Sequence, residues 1–228
     1  MTTTPYQSIK GKIESAKIKA NRASDNITLV AVSKTKPANA IHDLVQLGHL
    51  DFGENYVQEF LQKKAELPNL IRWHFIGHLQ SRKVKDIVGN CSLIHSIDSI
   101  DLAQEIQKRA QQKNIIQKIL LQVDLGKEAT KSGFDSSQLL EAAKQISQLS
   151  HVKLAGLMTL PPFFENPEMT RPFFRELKHW LLNINQDGAI QPLTELSMGM
   201  SHDFHIAIEE GATLIRIGTA LFGQRNKN

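Results

Sequence analysis

The sequence predicts an α/β protein, a single (β/α)₈ TIM barrel with an extra N-terminal helix, formed by residues 1–228 as one domain. Eight short apolar segments alternate with helical patterns, and such alternation is typical of parallel strands with right-handed crossovers. No stretch resembles an interdomain linker, and the 228 residues come close to the roughly 250 typical of this barrel. An open doubly wound sheet is the alternative. The first strand is not followed by GxGxxG, which weakens a dinucleotide-binding interpretation.

The elements follow one another in a regular order. The first is an amphipathic helix, since Ile9, Ile13, Ala16 and Ala20 recur at helical spacing. The predicted strands are residues 27–33, 49–54, 71–77, 91–97, 115–125, 152–160, 193–198 and 213–218. The helices between them are expected from Pro37 onward, then over 55–67, 81–88, 98 or 99 to 112, 135–149, 169–184 and 203–210.

Composition limits the classes of function. The net charge is +4, but acidic residues are interspersed among the basic ones, so a small anionic ligand is favoured over nucleic acid. The single cysteine excludes an internal disulfide, and the first residues, MTTTPYQSIKGK, lack the apolar core of a secretory signal. No apolar run approaches the roughly 18 residues of a membrane span. We therefore expect a cytoplasmic, monomeric protein without membrane or metal partners.

In a barrel of this kind the active face lies at the C-terminal ends of the strands, and a phosphate site is commonly formed after strands seven and eight. Those two loops contain Ser201 and, after the last strand, Gly218 and Thr219. Glycine allows the backbone to approach a ligand closely, hydroxyls can donate hydrogen bonds, and a short helix after Ser201 would favour an anion. Tight turns alone would also explain these residues, but their paired positions favour an anion site.

Lys34 follows the first predicted strand and shares side-chain parity with Val30 and Val32. If these valines point into the barrel, the lysine rises from its centre, where partial desolvation favours the neutral amine. A neutral amine forms a Schiff base with an aldehyde. A solvated strand end is the alternative, and Lys36 is the second candidate because it lies later, before Pro37.

A Schiff-base lysine and a phosphate cradle together describe pyridoxal 5′-phosphate (PLP), which carries an aldehyde and a phosphate on one ring. Arg216 on the last strand could face the ring nitrogen, and an always-charged guanidinium cannot give that nitrogen a proton. A structural salt bridge is the other explanation for Arg216. A Schiff-base aldolase without cofactor is a further alternative.

Seven stretches, AVSKTKP, FGENYVQE, WHFIGHLQSRK, KSGF, GLMTL, LSMGMSHDF and IRIGTALFG, occur in this order. They resemble the pyridoxal phosphate homeostasis protein family, which is related to the N-terminal barrel of alanine racemases. The resemblance covers residues 27–223 and implies a fold-type III barrel that holds PLP on Lys34, with Arg216 at the ring nitrogen.

The resemblance also assigns further residues. Ser201, Gly218 and Thr219 match the phosphate contacts, and Asn55 and His74 would line the cofactor pocket. Lys131 of KSGF is a possible secondary site or a solvated loop residue. His202 stands where many members have an acid, which would favour an anion.

The same resemblance implies a protein of vitamin B6 homeostasis that buffers PLP or delivers it to apo-enzymes, with little or no catalysis. Alanine racemases use a tyrosine base from a second domain, whereas this chain has only Tyr6 and Tyr56, and Tyr56 is expected to be a packing residue. The alternative is a fold-type III racemase, with Lys34 as one base and His74 or a water as the other.

Overall fold

The structure, a computed structural model, describes residues 4–126 and 132–224. Eight strands lie within them: β1 Thr28–Val32, β2 Asp51–Glu54, β3 Arg72–Phe75, β4 Leu93–Ile97, β5 Gln117–Val123, β6 Val152–Thr159, β7 Glu195–Ser197 and β8 Leu214–Ile217. The α-helices there are α1 Pro5–Lys19, α2 Ala38–Gln46, α3 Val57–Glu66, α4 Val84–Ile87, α5 Ile100–Gln112, α6 Leu139–Ser147, α7 Arg171–Asp187, α8 Phe204–Glu209 and α9 Thr219–Phe222.

The strands form a closed parallel barrel in sequence order, with β8 returning to pair with β1. At this closure Val30 lies opposite Arg216 and Ala31 opposite Ile217. The predicted (β/α)₈ TIM barrel is therefore confirmed, and its strands are the predicted ones with shorter ends.

Helix α1 forms where the sequence predicts it, and its start is fixed by a capping box. Thr4 accepts a hydrogen bond from the backbone of Gln7, and the Gln7 side chain accepts one from the backbone of Thr4. Its apolar face packs on α8 and α9, and Lys19 forms an ion pair with Glu209 of α8 at 2.7 Å. The extra helix thus covers the closure of the barrel.

Several helices differ from their predicted form at the start. The helices expected over 81–88, 135–149 and 169–184 each begin with a 3₁₀ turn, Ser81–Lys83, Ser136–Gln138 and Pro167–Thr170, as often happens at helix termini. The short helix α9 was not predicted, because four residues are too few to show a helical period. Ser99 caps α5 as expected, accepting from the backbone of Leu102.

Two apolar layers hold the barrel. The larger lies between strands and helices, and the smaller fills the interior with five side chains, Val30, Leu93, Leu120, Met158 and Leu214. Val30 belongs to this interior layer, whereas its neighbours Leu29 and Ala31 belong to the outer one. Val30, one of the two valines whose parity Lys34 shares, therefore points into the barrel as expected. Among the helices described, none combines the length and apolar character that crossing a bilayer requires.

Candidate functional site

Lys34 lies in a tight turn two residues beyond β1. The Lys36 N–H donates to the Ser33 carbonyl oxygen at 3.0 Å, so Lys34 and Thr35 are the central residues of the turn. Thr35 has a φ of +63°, which is unfavourable for a β-branched residue. Lys34 itself is half-buried. Such strain persists only where neighbouring contacts enforce it.

Those contacts come from three charged side chains, Glu54, Glu59 and Lys63, which we call the anchor cluster. The Lys63 Nζ donates to Glu54 Oε1 at 2.7 Å, to Glu59 Oε1 at 2.7 Å and to the Ser33 carbonyl at 2.6 Å. Glu59 Oε1 also accepts the Thr35 N–H at 2.5 Å. The residues on both sides of Lys34 are therefore tied to β2 and α3.

The anchor cluster is largely withdrawn from water. The side chain of Glu54 is fully buried and that of Lys63 is 6% exposed. Burial raises the pKa of Glu54, although hydrogen bonds from Lys63 and Ser33 oppose that rise. Its Oε1 accepts the Ser33 hydroxyl at 2.6 Å, while its Oε2 has no hydrogen-bond partner among the described residues. Burying such a pair costs free energy, so stability alone does not explain it.

Lys36, the second candidate for the Schiff base, has a different place. Its Nζ donates to the carbonyl oxygens of Phe222 and Gln224 at 2.9 and 3.0 Å, at the end of α9. A lysine that satisfies terminal helix carbonyls has a structural role. This observation favours Lys34 over Lys36. Lys131, the other lysine considered, lies outside the described residues.

The two predicted phosphate turns meet at the C-terminal face. The Thr219 hydroxyl lies 3.2 Å from the Ser201 hydroxyl, and the Ala220 N–H donates to Ser201 Oγ at 3.3 Å. The turn after β7 is held by Asp203, which accepts the Met200 N–H at 2.6 Å. Hydroxyls and backbone N–H groups thus converge where β7 and β8 end. We call these paired loops, 198–201 and 218–220, the anion turns.

The two glycines of the anion turns, Gly199 and Gly218, differ in how closely other atoms surround them. Gly199 has a φ of +89°, and a Cβ there would lie 2.5 Å from the Ala207 Cβ of α8. The positive φ and the close approach of α8 therefore require glycine at position 199. At Gly218 the nearest atom to an added Cβ is the Val32 carbonyl oxygen at 3.5 Å, an ordinary contact. The protein itself has room for a side chain at Gly218.

The turn of Lys34 and the anion turns are neighbours because β1 pairs with β8. Arg216 lies opposite Val30, so Gly218 leaves the barrel beside Val32. Lys34 follows Val32 by two residues, which brings the lysine turn and the anion turns to one rim. We call this rim, above the β8–β1 pair, the seam.

Arg216 lies inside the barrel below the seam and is buried. Its Nη1 donates to Ser197 Oγ at 2.5 Å and its Nη2 to the Thr159 carbonyl at 2.8 Å. Burial lowers the pKa of Arg216 to about 10, and the carboxylate of Asp203 opposes that shift. The guanidinium therefore stays charged at neutral pH, and both of its terminal nitrogens have fixed acceptors.

Asn55 and His74, the two residues assigned by resemblance, lie in different surroundings. Asn55 follows β2, and its buried Oδ1 has no hydrogen-bond partner among the described residues. A buried oxygen of this kind is commonly satisfied by a ligand or water. His74 lies in the interior, where its ring nitrogens bond to His95 at 2.9 Å and to Asp51 at 3.2 Å. His74 also lines a cavity of about 890 Å³ at the opposite, N-terminal face.

Three site features escaped the sequence analysis. Glu59 and Lys63 have the i, i+4 spacing of a helical ion pair, a signal that was present. The role of Ser197 and His95 had no local signal, since they meet across the barrel at 2.8 Å. Tyr56 was expected to pack, but it is 56% exposed and lines a cavity of about 770 Å³ together with Asn55.

Comparison with known proteins gives concordant matches. The alanine racemase N-terminal domain family matches residues 9–226. A curated relative, the pyridoxal phosphate homeostasis protein of Aquifex aeolicus, is 47% identical over 94% of each chain. The solved structure of PipY from Synechococcus elongatus PCC7942 with PLP bound is 38% identical and has a TM-score of 0.81. The match covers 92% of this chain and 100% of the PipY chain.

A more distant match concerns the fold alone. Alanine racemase of Clostridium difficile 630 is 16% identical with a TM-score of 0.72. The match covers 94% of the present chain but only 55% of that racemase. The barrel is therefore shared, and the racemase contains additional chain beyond it.

Proposed function

The chain belongs to the alanine racemase N-terminal domain family and, within it, to the pyridoxal phosphate homeostasis proteins, and from this premise we propose that it holds PLP at the seam through Lys34. We further propose that its role is to buffer the cofactor or deliver it to apo-enzymes, with little or no catalysis. The observation that carries the proposal is the meeting of the lysine turn and the anion turns at the β8–β1 pair.

The described residues fit the cofactor. Ser201 and Thr219 offer hydroxyls, and the half-buried backbone of Gly218 has only ordinary contacts around it. The Asn55 Oδ1, which has no hydrogen-bond partner in the described part of the chain, offers an acceptor. Arg216, buried beneath, supplies a positive charge that would face the ring nitrogen without protonating it. When bound, PLP supplies an electron-withdrawing ring that can stabilise a carbanion.

The anchor cluster suits the attachment chemistry because it fixes the backbone on both sides of Lys34. The Lys34 amine would attack the aldehyde carbon; its nitrogen forms the C=N bond, and the aldehyde oxygen leaves as water. This exchange needs no oxidant or reductant, and water reverses it. A reversible covalent bond is suited to a protein that stores a cofactor and releases it.

The side chains available as bases favour a protein with little racemase activity. Racemisation needs a proton acceptor and donor on opposite faces of the substrate. Both ring nitrogens of His74 are engaged by neighbouring side chains, which argues against His74 as the second base. A carrier is therefore favoured over a racemase.

Borohydride reduction followed by peptide mapping tests the attachment. The expected result is a reduced pyridoxyl label on Lys34 alone. A label on Lys36 or Lys131, with Lys34 unmodified, would overturn the assignment. A colourless protein that takes up no label would instead point to a Schiff-base enzyme without cofactor.

A transfer assay tests the homeostatic role. The loaded protein is mixed with an apo-enzyme that needs PLP, and recovery of that enzyme is compared with spontaneous release into a PLP trap. Transfer faster than release would indicate delivery to apo-enzyme partners. Equal rates would restrict the role to storage.

One observation keeps the racemase as a second candidate function. Tyr56 is exposed beside Asn55 in the cavity of about 770 Å³, where a phenol could exchange a proton with a substrate. Deuterium exchange at the α-carbon of a panel of amino acids distinguishes the two functions. Rapid exchange that is lost in Tyr56→Phe would establish the enzyme, and no exchange would dismiss it.

A further inference from the structure

A continuous chain of polar side chains crosses the barrel interior below the seam. Arg216 Nη1 lies 2.5 Å from Ser197 Oγ, and Ser197 Oγ lies 2.8 Å from His95 Nδ1. His95 Nε2 lies 2.9 Å from His74 Nδ1, and His74 Nε2 lies 3.2 Å from Asp51 Oδ1. We call these five residues the interior relay.

The interior relay is buried along most of its length. Ser197 and His95 are completely buried, Arg216 is 4% exposed, and His74 is 5% exposed. Asp51 and His74 line the cavity at the N-terminal face, where Arg72 binds the Asp51 carboxylate at 2.5 and 2.8 Å. Five apolar side chains fill another part of the interior, so a packing role would not require these five polar residues.

The two ends of the relay set its direction. A guanidinium carries only donors, so Ser197 Oγ must accept from Arg216. At the other end, burial opposes ionisation of Asp51, but hydrogen bonds from His74 and Arg72 outweigh it and hold the pKa of this carboxyl well below its usual range. Asp51 is therefore a carboxylate and accepts only. A chain between a pure donor and a pure acceptor passes every proton in the same sense when each middle group carries a single proton.

The three middle groups then have defined protons. Ser197 donates its hydroxyl proton to His95 Nδ1, His95 donates from Nε2 to His74 Nδ1, and His74 donates from Nε2 to Asp51. In this arrangement both histidines are neutral and carry their proton on Nε2. Burial, helped by the positive charge of Arg216, lowers the pKa of His95 well below its usual range, which agrees with a neutral ring.

The competing arrangement places a proton on both nitrogens of His74 and reverses His95 to the Nδ1–H form. It would add a positive charge between Arg216 and Arg72. Asp51 already has Arg72 as a bidentate counter-ion, and Asp203 faces Arg216. A charged His74 would have to share the Asp51 carboxylate with Arg72, because no other carboxylate contacts His74 among the described residues.

We propose that the interior relay is a one-way hydrogen-bond chain whose function is to position the Arg216 guanidinium under the seam. Ser197 and the Thr159 carbonyl each hold one terminal nitrogen, so the guanidinium plane is fixed. His95, His74 and Asp51 act through Ser197, by orienting its hydroxyl so that its lone pairs face Arg216. The relevance to PLP rests on the proposed function; the relay itself does not.

Histidine side-chain ¹⁵N NMR on the full chain without ligand tests the direction. Both His74 and His95 are expected as neutral Nε2–H tautomers at neutral pH. A charged His74, or His95 protonated on Nδ1, would overturn the one-way chain. Asp51→Asn retains an acceptor and should leave the pattern unchanged, whereas Asp51→Ala should produce a mixture of tautomers at His74. Arg109→Met, which removes an ion pair with Glu105 away from the relay, is the matched control and should leave both tautomers unchanged.

The positioning role is tested by the mobility of Arg216, again without ligand. Ser197→Ala removes one acceptor, and rotation of the guanidinium measured by ¹⁵N NMR should become about tenfold faster, the value of one charge-assisted hydrogen bond. Ser197→Thr restores the hydroxyl and should restore slow rotation. Unchanged rotation in Ser197→Ala would overturn the positioning role. His95→Gln, which alters the hydroxyl's partner rather than the hydroxyl, gives a second variant if Ser197→Ala fails to fold.

The loaded protein supplies the link to function. Ser197→Ala should bind PLP about tenfold more weakly, with a shifted absorbance maximum and unchanged labelling of Lys34 by borohydride; Ser197→Thr should return both to wild-type values. An unaltered spectrum and affinity would mean that the relay does not act on the cofactor. If the wild-type chain failed to bind PLP, the proposed function would fall, while the two ligand-free measurements would still decide the relay.

Discussion

The lysine turn and the anion turns share the seam but are built in opposite ways. The turn of Lys34 is held by buried charges, Glu54 and Lys63, and contains a strained Thr35. The anion turns are held by hydroxyls and backbone N–H groups, with Ser201 at their centre. A covalent bond needs one atom placed accurately, whereas an anion needs several donors around it. The difference indicates that the two ends of the site can be disabled separately.

The largest difference between the lysine turn and the anion turns is expected from Lys34→Ala. This variant should lose all borohydride-trapped label, because no amine remains at the lysine turn, yet keep weak PLP binding through the intact anion turns. Equilibrium dialysis measures the remaining affinity. Lys36→Ala is the matched control and should keep the label; loss of label in both variants would mean that the region misfolds rather than lacks its amine.

Lys63→Met should disturb the lysine turn without touching the anion turns. Removing one partner of a buried ion pair destabilises a protein by about 3 kcal/mol or more, and the released turn should also react more slowly with PLP. Urea unfolding and the rate of absorbance change measure the two effects. Lys144→Met removes a more exposed pair with Asp187 and should cost about 1 kcal/mol or less. Equal losses in both variants would remove the special role of the anchor cluster.

Within the anion turns, substitution of Gly199 should affect mainly stability, whereas substitution of Gly218 should affect mainly ligand binding. Gly199→Ala should lower the free energy of unfolding by about 1–3 kcal/mol, because of its positive φ and its contact with α8. Gly218→Ala should change stability by about 0.5 kcal/mol or less but weaken binding of PLP and inorganic phosphate. Thermal unfolding and phosphate titration compare the pair. A Gly218→Ala protein with full phosphate affinity would contradict the placement of the anion.

The smallest expected effect is a pH dependence at the lysine turn. Since burial raises the pKa of Glu54 above its ordinary 4.5, the folded state holds that proton more tightly than the unfolded state. The contribution to stability is therefore complete below about 4.5 and is lost as the pH rises through the raised value. Glu54→Gln should remove this component, so its free energy of unfolding should fall less steeply with pH in urea titrations. Parallel pH profiles would show that Glu54 keeps an ordinary pKa.

The parts of the fold that repeat could be predicted from the sequence, and the parts that depend on long-range partners could not. Strand and helix periods predicted the barrel, and Val30 gave the correct inward parity. The juxtaposition of Ser201 and Thr219 followed from the known ends of β7 and β8. The assignment of PLP contacts to Lys34, Asn55, His74 and the anion turns remains a prediction.

The interior polar residues show why the rest could not be predicted. His95 and Ser197 are far apart in sequence and meet only because β4 and β7 face each other across the barrel. His74 looked like a pocket residue, but its contacts within the interior relay depend on Asp51 one strand away. Alternation along a strand tells which side chains point inward, not which of them will touch.

The hydrogen bonds from Lys36 to the carbonyls of Phe222 and Gln224 join the first βα turn to the last helix. A chain emerging from the ribosome therefore lacks a complete pocket until its eighth strand has docked beside its first. Any molecule that binds to the completed pocket stabilises the closed barrel by mass action. Vitamin supply would then assist the final step of this protein's own biogenesis.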